Sequence, residues 1–343
     1  MEDTSKLDIK KAAKAILETI DREREREIIA RRFGLYDRKE TLEQIGEMLG
    51  ITRERVRQLE KAILIRLRAS AEKDMPFINE VEKEFVKYLT EMGRVARVSD
   101  LAEKVSDKGD DRDKAHVAFL ASLAPGLTVV DENDDYYQAV SITQYLDEKK
   151  VKAQVDNVVK VMKDHGEPVT IEQLYKMLSG YEHPDHVRAT ASISKHLTHL
   201  KDNWGMVKWP LVNPKNIRDK IYVILQENGK PMHFSEISGA IKKSDFKRKD
   251  VTTQAIHNEL IKDGRFVLIG RGIYALKEWG YSKGTVSDII AKILKKNKAP
   301  MHRDEIVKEV LKSRQVKETT ILLNLQGKPQ FKRVAKATYE LAE

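Results

Sequence analysis

The sequence contains no cysteine. This excludes a disulfide-stapled scaffold and a thiolate-ligated zinc site, and it fits a reducing compartment. No apolar run approaches the roughly 18 residues that a membrane span needs, and residues 1–21 lack the apolar core of a secretion signal. A soluble, cytoplasmic protein is the expectation. Catalytic signatures are missing too: there is no phosphate-cradling GxxxxGK(S/T) loop and no serine nucleophile elbow. The carboxylates fall on amphipathic helix faces and in acidic loops, not in a pairing that suggests a nuclease. His183 with His186, and His196 with His199, are the clustered histidines. With few carboxylates nearby and no thiolate to join them, they read as surface or interface residues and not as metal ligands. The three tryptophans, Trp204, Trp209 and Trp279, fall near the ends of extended segments and read as core anchors before base-stacking platforms. No catalytic residue, no cofactor and no metal is expected.

Charge is present in abundance and is unevenly placed. The net charge is +9 over 343 residues, a length that suits two or more cores. Residues 1–75 hold 18 Lys+Arg and 16 Asp+Glu, residues 76–210 hold 18 and 23, and residues 211–343 hold 27 and 15. Phosphate neutralisation supplies most nonspecific affinity for nucleic acid, so such a footprint is expected in the last third and less in the acidic middle.

One stretch, TLEQIGEMLGITRERVRQLEK from Thr41 to Lys61, combines spacing, caps and chemistry. Leu42, Ile45, Met48 and Leu49 recur at helical spacing, and Thr41 with Gln44 has the form of a capping box. Gly50 supplies a tight turn, and Thr52 caps a second helix with Val56, Leu59, Ile63 and Leu64 inward. Arg53, Glu54, Arg57 and Gln58 remain on the exposed face near its N-terminus, the end that a recognition helix puts into the major groove. Arg is bidentate to guanine, Gln pairs with adenine and Glu accepts from cytosine. The bland alternative is a surface hairpin with solvated charges.

With its flanks, RERERE from Arg22, IIARRFGLY from Ile28 and the stretch through Arg68, this segment resembles region 4 of bacterial RNA polymerase sigma factors. In that family region 4 reads the upstream promoter hexamer and docks on the β-flap of core polymerase. The resemblance implies base contacts for Arg53, Glu54, Arg57 and Gln58, and phosphate contacts for Thr52, Arg55 and Lys61. Arg31, Arg32 and Phe33 stand where the family's first helix leads into a bend. A complete sigma factor carries a promoter-melting region with exposed aromatics ahead of region 4. Residues 1–21 contain no aromatic, so the expectation is an address module and not a whole initiation factor. These residues read as a short helix with Leu7, Ala12, Ile16, Leu17 and Ile20 on one side, packed on the module.

Beyond a break at Pro76 the chain repeats itself. Anchored on Gly93, Gly166, Gly229 and Lys298, apolar residues recur four and eight positions before and eight and twelve positions after. The sets are Leu89, Met162, Leu225, Leu294; Phe85, Val158, Ile221, Ile290; Leu101, Leu174, Ile237, Ile306; and Val105, Leu178, Ile241, Val310. In the last two units Phe266, Tyr274 and Leu276 align with Phe331, Tyr339 and Leu341, and alternating FVLIGRGIYAL reads as a β-hairpin. The fold class expected is mainly α: a sigma region 4-like helix-turn-helix over 1–75, then winged helices over 76–146, 147–214, 215–281 and 282–343. The third resembles the HARE-type helix-turn-helix domain in NGKPMHFSEI and in GRGIYAL, which implies DNA binding or polymerase contact; the fourth looks like a diverged relative. Lys242, Lys243, Lys247, Arg248 and Lys249 form a basic loop before the third helix of that unit, which would expose Thr252, Thr253, Gln254, His257 and Asn258. With Arg265 and Arg271 in the wing they are the candidate phosphate grips. The acidic loops, with Asp107, Asp110, Asp111 and Asp113, then Asp131 to Asp135, are poor phosphate binders.

The expectation is therefore a DNA-binding transcription factor or polymerase-associated regulator that is not an enzyme. Its partners would be promoter-like double-stranded DNA and RNA polymerase core at the β-flap, with no membrane contact. The alternative is a protein-interaction scaffold that binds polymerase or a sigma factor without reading sequence.

Overall fold

Caps written into the sequence set where most helices begin. In the computed structural model, which describes residues 8–75, 77–246, 248, 250–281 and 283–342, the Asp8 carboxylate accepts from the amides of Lys10 and Lys11 and starts α1 (Ile9–Glu18). α2 (Glu23–Phe33) stops at Gly34, which is left-handed at φ 77. α3 (Leu42–Leu49) opens on the Thr41/Gln44 capping box, and Thr52 caps α4 (Arg53–Asp74). α4 runs six residues beyond Arg68, the end expected from the polar sequence that follows, because Leu67, Ala71 and Met75 carry its buried stripe onward. Leu7, assigned to the first helix, lies outside the described residues.

Four units then share one order of elements: helix, short strand, helix, helix, hairpin. The first is α5 (Ile78–Glu91), β1 (Val95–Arg97), α6 (Val98–Val105), α7 (Asp111–Leu123), β2 (Leu127–Val130) and β3 (Ala139–Ile142). The second is α8 (Glu148–His165), β4 (Val169–Thr170), α9 (Ile171–Met177), α10 (Pro184–Ile193), β5 (Leu197–Leu200) and β6 (Asn203–Met206). The third is α11 (Ile217–Asn228), β7 (Met232–His233), α12 (Phe234–Lys243), α13 (Thr253–Lys262), β8 (Phe266–Gly270) and β9 (Ile273–Leu276). The fourth is α14 (Val286–Asn297), β10 (Met301–His302), α15 (Arg303–Ser313), α16 (Glu318–Gly327), β11 (Phe331–Ala335) and β12 (Thr338–Leu341). In each the short strand pairs with the last strand of the hairpin, giving sheet orders β1-β3-β2, β4-β6-β5, β7-β9-β8 and β10-β12-β11. These are winged helices, and the fold is mainly α.

The repeat is physical. All four anchors take a left-handed backbone, Gly93 at φ 99, Gly166 at 84, Gly229 at 64 and Lys298 at 55, because the chain must reverse after the first helix of each unit. Every apolar position of the register is buried except Leu178, where α9 has already ended and the residue is its extended cap. The hairpins match too: Tyr274 pairs with Met232 as Tyr339 pairs with Met301, and Phe266 with Leu276 as Phe331 with Leu341.

The chain divides into two compact units, Met1–Lys208 and Trp209–Glu343. Inside the first, one hydrophobic core runs from Ile9 to Ile142, through Met75 and Ile78. It joins Ile29, Ala30, Ile63 and Leu67 of the helix-turn-helix module to Phe85, Leu101, Phe119 and Leu120 of the first winged helix. Phe33 meets Phe119 edge-on at 5.2 Å, and Arg68 Nε donates to the Ser122 carbonyl at 2.7 Å. α1 lies chiefly on α7 and touches the module at α2. Among the described residues no helix is long and apolar enough to cross a membrane.

Candidate nucleic-acid interface

The turn between α3 and α4 is built from two glycines with different tasks. At Gly46 a Cβ would meet the Ile51 carbonyl oxygen at 2.7 Å, so the two helices approach only because nothing stands there. Gly50 is left-handed at φ 64 and reverses the chain. Ile28, Ile45 and Val56 close the small core beneath, and Arg24 donates to the Leu49 carbonyl at 2.7 Å, covering the C-terminal end of α3. Met48, assigned to the inner face of α3, is exposed; the inward stripe is carried by Leu42, Ile45 and Leu49.

With that packing, Thr52, Arg53, Glu54, Arg55, Arg57, Gln58 and Lys61 all lie exposed on α4. They are not independent. Arg57 donates to Glu54 through Nε at 2.8 Å and Nη2 at 2.7 Å. Gln58 Nε2 donates to the same carboxylate at 3.4 Å, and Arg55 Nη1 donates to Gln58 Oε1 at 3.4 Å. The Arg57 hydrogen bonds hold the Glu54 carboxyl below its ordinary value. Exposed pairs of this kind are weak, so the Arg57 guanidinium lies along the helix surface and can exchange Glu54 for another acceptor. Arg31 and Arg32 work inside the module instead. Arg31 pairs with Glu27 and with Glu40, at 2.9 and 2.7 Å; Arg32 pairs with Glu60 at 3.2 Å. Buried Glu25 accepts from Arg66 and from Arg22.

In three-helix variants of the helix-turn-helix the third helix is the groove-reading element, and in the first two winged helices that helix is covered. α7 is buried along both sides, from Asp113 and His116 through Leu123, beneath α1, α2, α4, α5 and α6. Asp113, read as part of an acidic surface loop, is 1% exposed and pairs with Lys10 at 3.2 Å, because it belongs to the first turn of α7. α10 packs on β1 of the unit before it, where a Cβ on Gly93 would meet the Asp185 carbonyl oxygen at 2.7 Å. The acidic wing is docked as well: Glu132 pairs with Lys195 at 2.7 Å, Asp135 with His196 at 2.8 Å, and Tyr137 N donates to the Ile193 carbonyl at 2.9 Å. The other histidines of this region also have local tasks: His183 caps α10, and His199 stacks on Trp204 at 4.8 Å.

In the second compact unit the third helices are open. α13 buries Ile256 and Leu260 and exposes Thr252, Gln254 and Asn258. His257, expected among them, packs its ring between Phe234 and Tyr274, at 5.0 and 6.2 Å. Lys242, Lys243, Arg248 and Arg271 are exposed; Lys247 and Lys249 lie outside the described residues. Arg265 is a correction to the phosphate set. Its guanidinium bonds Asp263 at 2.8 Å and Asp219 at 3.2 Å and lies over Tyr222, so it ties the start of β8 to α11. α16 buries Ile321 and Leu325 and leaves Thr319, Thr320, Leu323 and Gln326 outward. The hairpin after it carries exposed Lys332, Arg333 and Lys336, which the sequence reading did not single out; the excess of cations after residue 211 was the available signal.

Residues 22–69 match the family model described as Sigma-70, region 4. Over 64 residues the chain is 44% identical to RNA polymerase sigma factor RpoD of Helicobacter pylori strain 26695, covering 18% of this chain and 9% of that protein. Over 61 residues it is 44% identical to RNA polymerase sigma factor SigA of a Bacillus species, covering 18% and 16%. Over 46 residues it is 50% identical to RNA polymerase sigma factor sigB of Arabidopsis thaliana, covering 13% and 8%. The chain thus spans only 8–16% of the length of these relatives.

Proposed function

We propose that this chain is a DNA-binding transcription factor associated with RNA polymerase, which reads a promoter-like element through α4 and performs no catalysis. Arg53, Glu54, Arg57 and Gln58 read base edges, Thr52, Arg55 and Lys61 lie along phosphates, and the basic winged helices of the second unit hold flanking duplex. The observation that carries this reading is the solvent-facing N-terminal half of α4, capped by Thr52 and backed by a buried core, in the segment that matches sigma region 4. The names of the relatives make core polymerase the proposed protein partner. The apolar back of the module is filled by the chain's own helices, which favours DNA over a partner helix docked on that face. The scaffold alternative drew its support from the acidic middle, and part of that charge, Glu132 and Asp135 of the first wing, is paired within the chain.

Selection of bound duplexes from a random pool, with and without core polymerase, tests the reading. A consensus element is expected in both arms. Recovery of random sequence in both arms, with polymerase captured after nuclease treatment, would return the scaffold to first place.

A further inference from the structure

The fourth winged helix is the unit in which an open third helix and an open basic wing occur together. Between Lys317 and Lys336 the sequence holds five cations, Lys317, Lys328, Lys332, Arg333 and Lys336, against a single acid, Glu318. All six are exposed. The nearest acid on the hairpin itself is Glu340, opposite Lys332 in the strand register. The third unit differs: its wing turn carries Arg271, and the neighbouring Arg265 is held by two aspartates. On α16, Leu323 stands 68% exposed among Thr319, Thr320 and Gln326. A single exposed leucine with hydroxyl and amide groups one helical turn to either side offers little to an apolar protein groove. It fits the floor of a DNA major groove, where hydroxyls and amides meet base edges and an aliphatic group meets the C5-methyl of thymine.

We propose that the fourth winged helix is a second duplex-DNA site, with Lys332, Arg333 and Lys336 on phosphates and α16 in the major groove, Leu323 against thymine methyls. The proposal rests on the DNA-binding reading above and adds a place and a chemistry to it. Sequence preference at this site is weak, since threonine hydroxyls serve more than one base, one methyl contact discriminates little and the wing reads only backbone. Its contribution is affinity for whatever duplex flanks the element bound by α4.

The test uses the full chain and two kinds of probe. On a random-sequence duplex, the triple variant Lys332→Gln, Arg333→Gln, Lys336→Gln should flatten the dependence of log K on log salt by about 2.7, at about 0.9 for each phosphate no longer neutralised. On matched duplexes made with thymidine or with deoxyuridine, the wild type should favour thymidine, and Leu323→Ala should bind the two alike. All four residues are exposed, so both variants should melt as the wild type does. If the wild type binds no duplex, the DNA-binding reading falls and this site with it. If it binds, but the triple variant keeps the wild-type salt slope or Leu323→Ala keeps the preference for thymidine, the site falls alone, and α4 remains testable on its selected element. Capture of an acidic protein by this wing, with the DNA slope unchanged, also overturns it.

Discussion

Lys298 holds the left-handed conformation, φ 55, that its three counterparts reach with glycine. Its side chain is exposed, and a Cβ in this region meets a strain of about 1–2 kcal/mol. Lys298→Gly should therefore stabilise the second compact unit by about 1 kcal/mol, after the greater freedom of glycine in the unfolded chain is subtracted; a urea melt checks this. His116 acts in the opposite direction. Burial in α7 pushes its imidazole below the ordinary 6.5, against the pull of Asp113 and Asp110 and in concert with Lys10. A histidine with a depressed folded value takes up its proton more readily when unfolded, so its effect is absent above the ordinary value and stability falls as the pH drops through it. A fall in melting point between about pH 7.5 and 5.5 is expected in the first unit, with a flatter profile in His116→Gln. His186, also lowered by burial, supplies part of what remains. Arg265 marks the limit of sequence at this scale. Its charge was legible, but its partner Asp219 is 46 residues away, and only the fold brings them together.

At the scale of elements, α3, the turn and α4 were legible because each signal is local: a capping box, a glycine at the reversal, a threonine cap. Gly46 belongs to the same set once the 2.7 Å approach of the Ile51 carbonyl is known. Gly46→Val should force α3 and α4 apart and destabilise the module by about 1–3 kcal/mol, measurable as a lower melting point with weaker duplex binding. The repeat was legible for the same reason, since its register is a matter of spacing. What no spacing revealed is that α7 and α10, the third helices of their units, are covered. A hint stood in the sequence: from Ala115 to Leu123 α7 offers little polar surface, and a helix apolar on all sides is a buried one. Phe119 is fully buried within that cover and meets Phe33. Phe119→Ala should cost about 3–5 kcal/mol and should lower protection from hydrogen exchange in α2 and α4 as well as in α5 and α6. Weaker protection confined to α5, α6 and α7 would show that the module and the first winged helix do not share a core.

For the whole molecule, the partition of charge now has a structural counterpart within each unit. The acidic stretch lies where winged helices pack on one another through Glu132, Asp135, Lys195 and His196. The cationic stretch lies where the third helices remain open, joined in the fourth winged helix by an open basic wing. Sequence carried the charge map and the repeat but could not say which repeats bind one another, because that depends on pairs such as Arg94 with Glu182, 88 residues apart. On this account two kinds of surface meet DNA: α4, which selects, and the basic winged helices, which hold. The claim that α4 selects is tested most directly by titrating wild type and Arg57→Ala against the duplex recovered by selection and against a scrambled duplex of equal length. Arg57→Ala should lose about 1–3 kcal/mol on the selected duplex and little on the scrambled one, narrowing the ratio between them. Equal losses on both duplexes would contradict base reading by Arg57 and leave α4 a phosphate-binding helix.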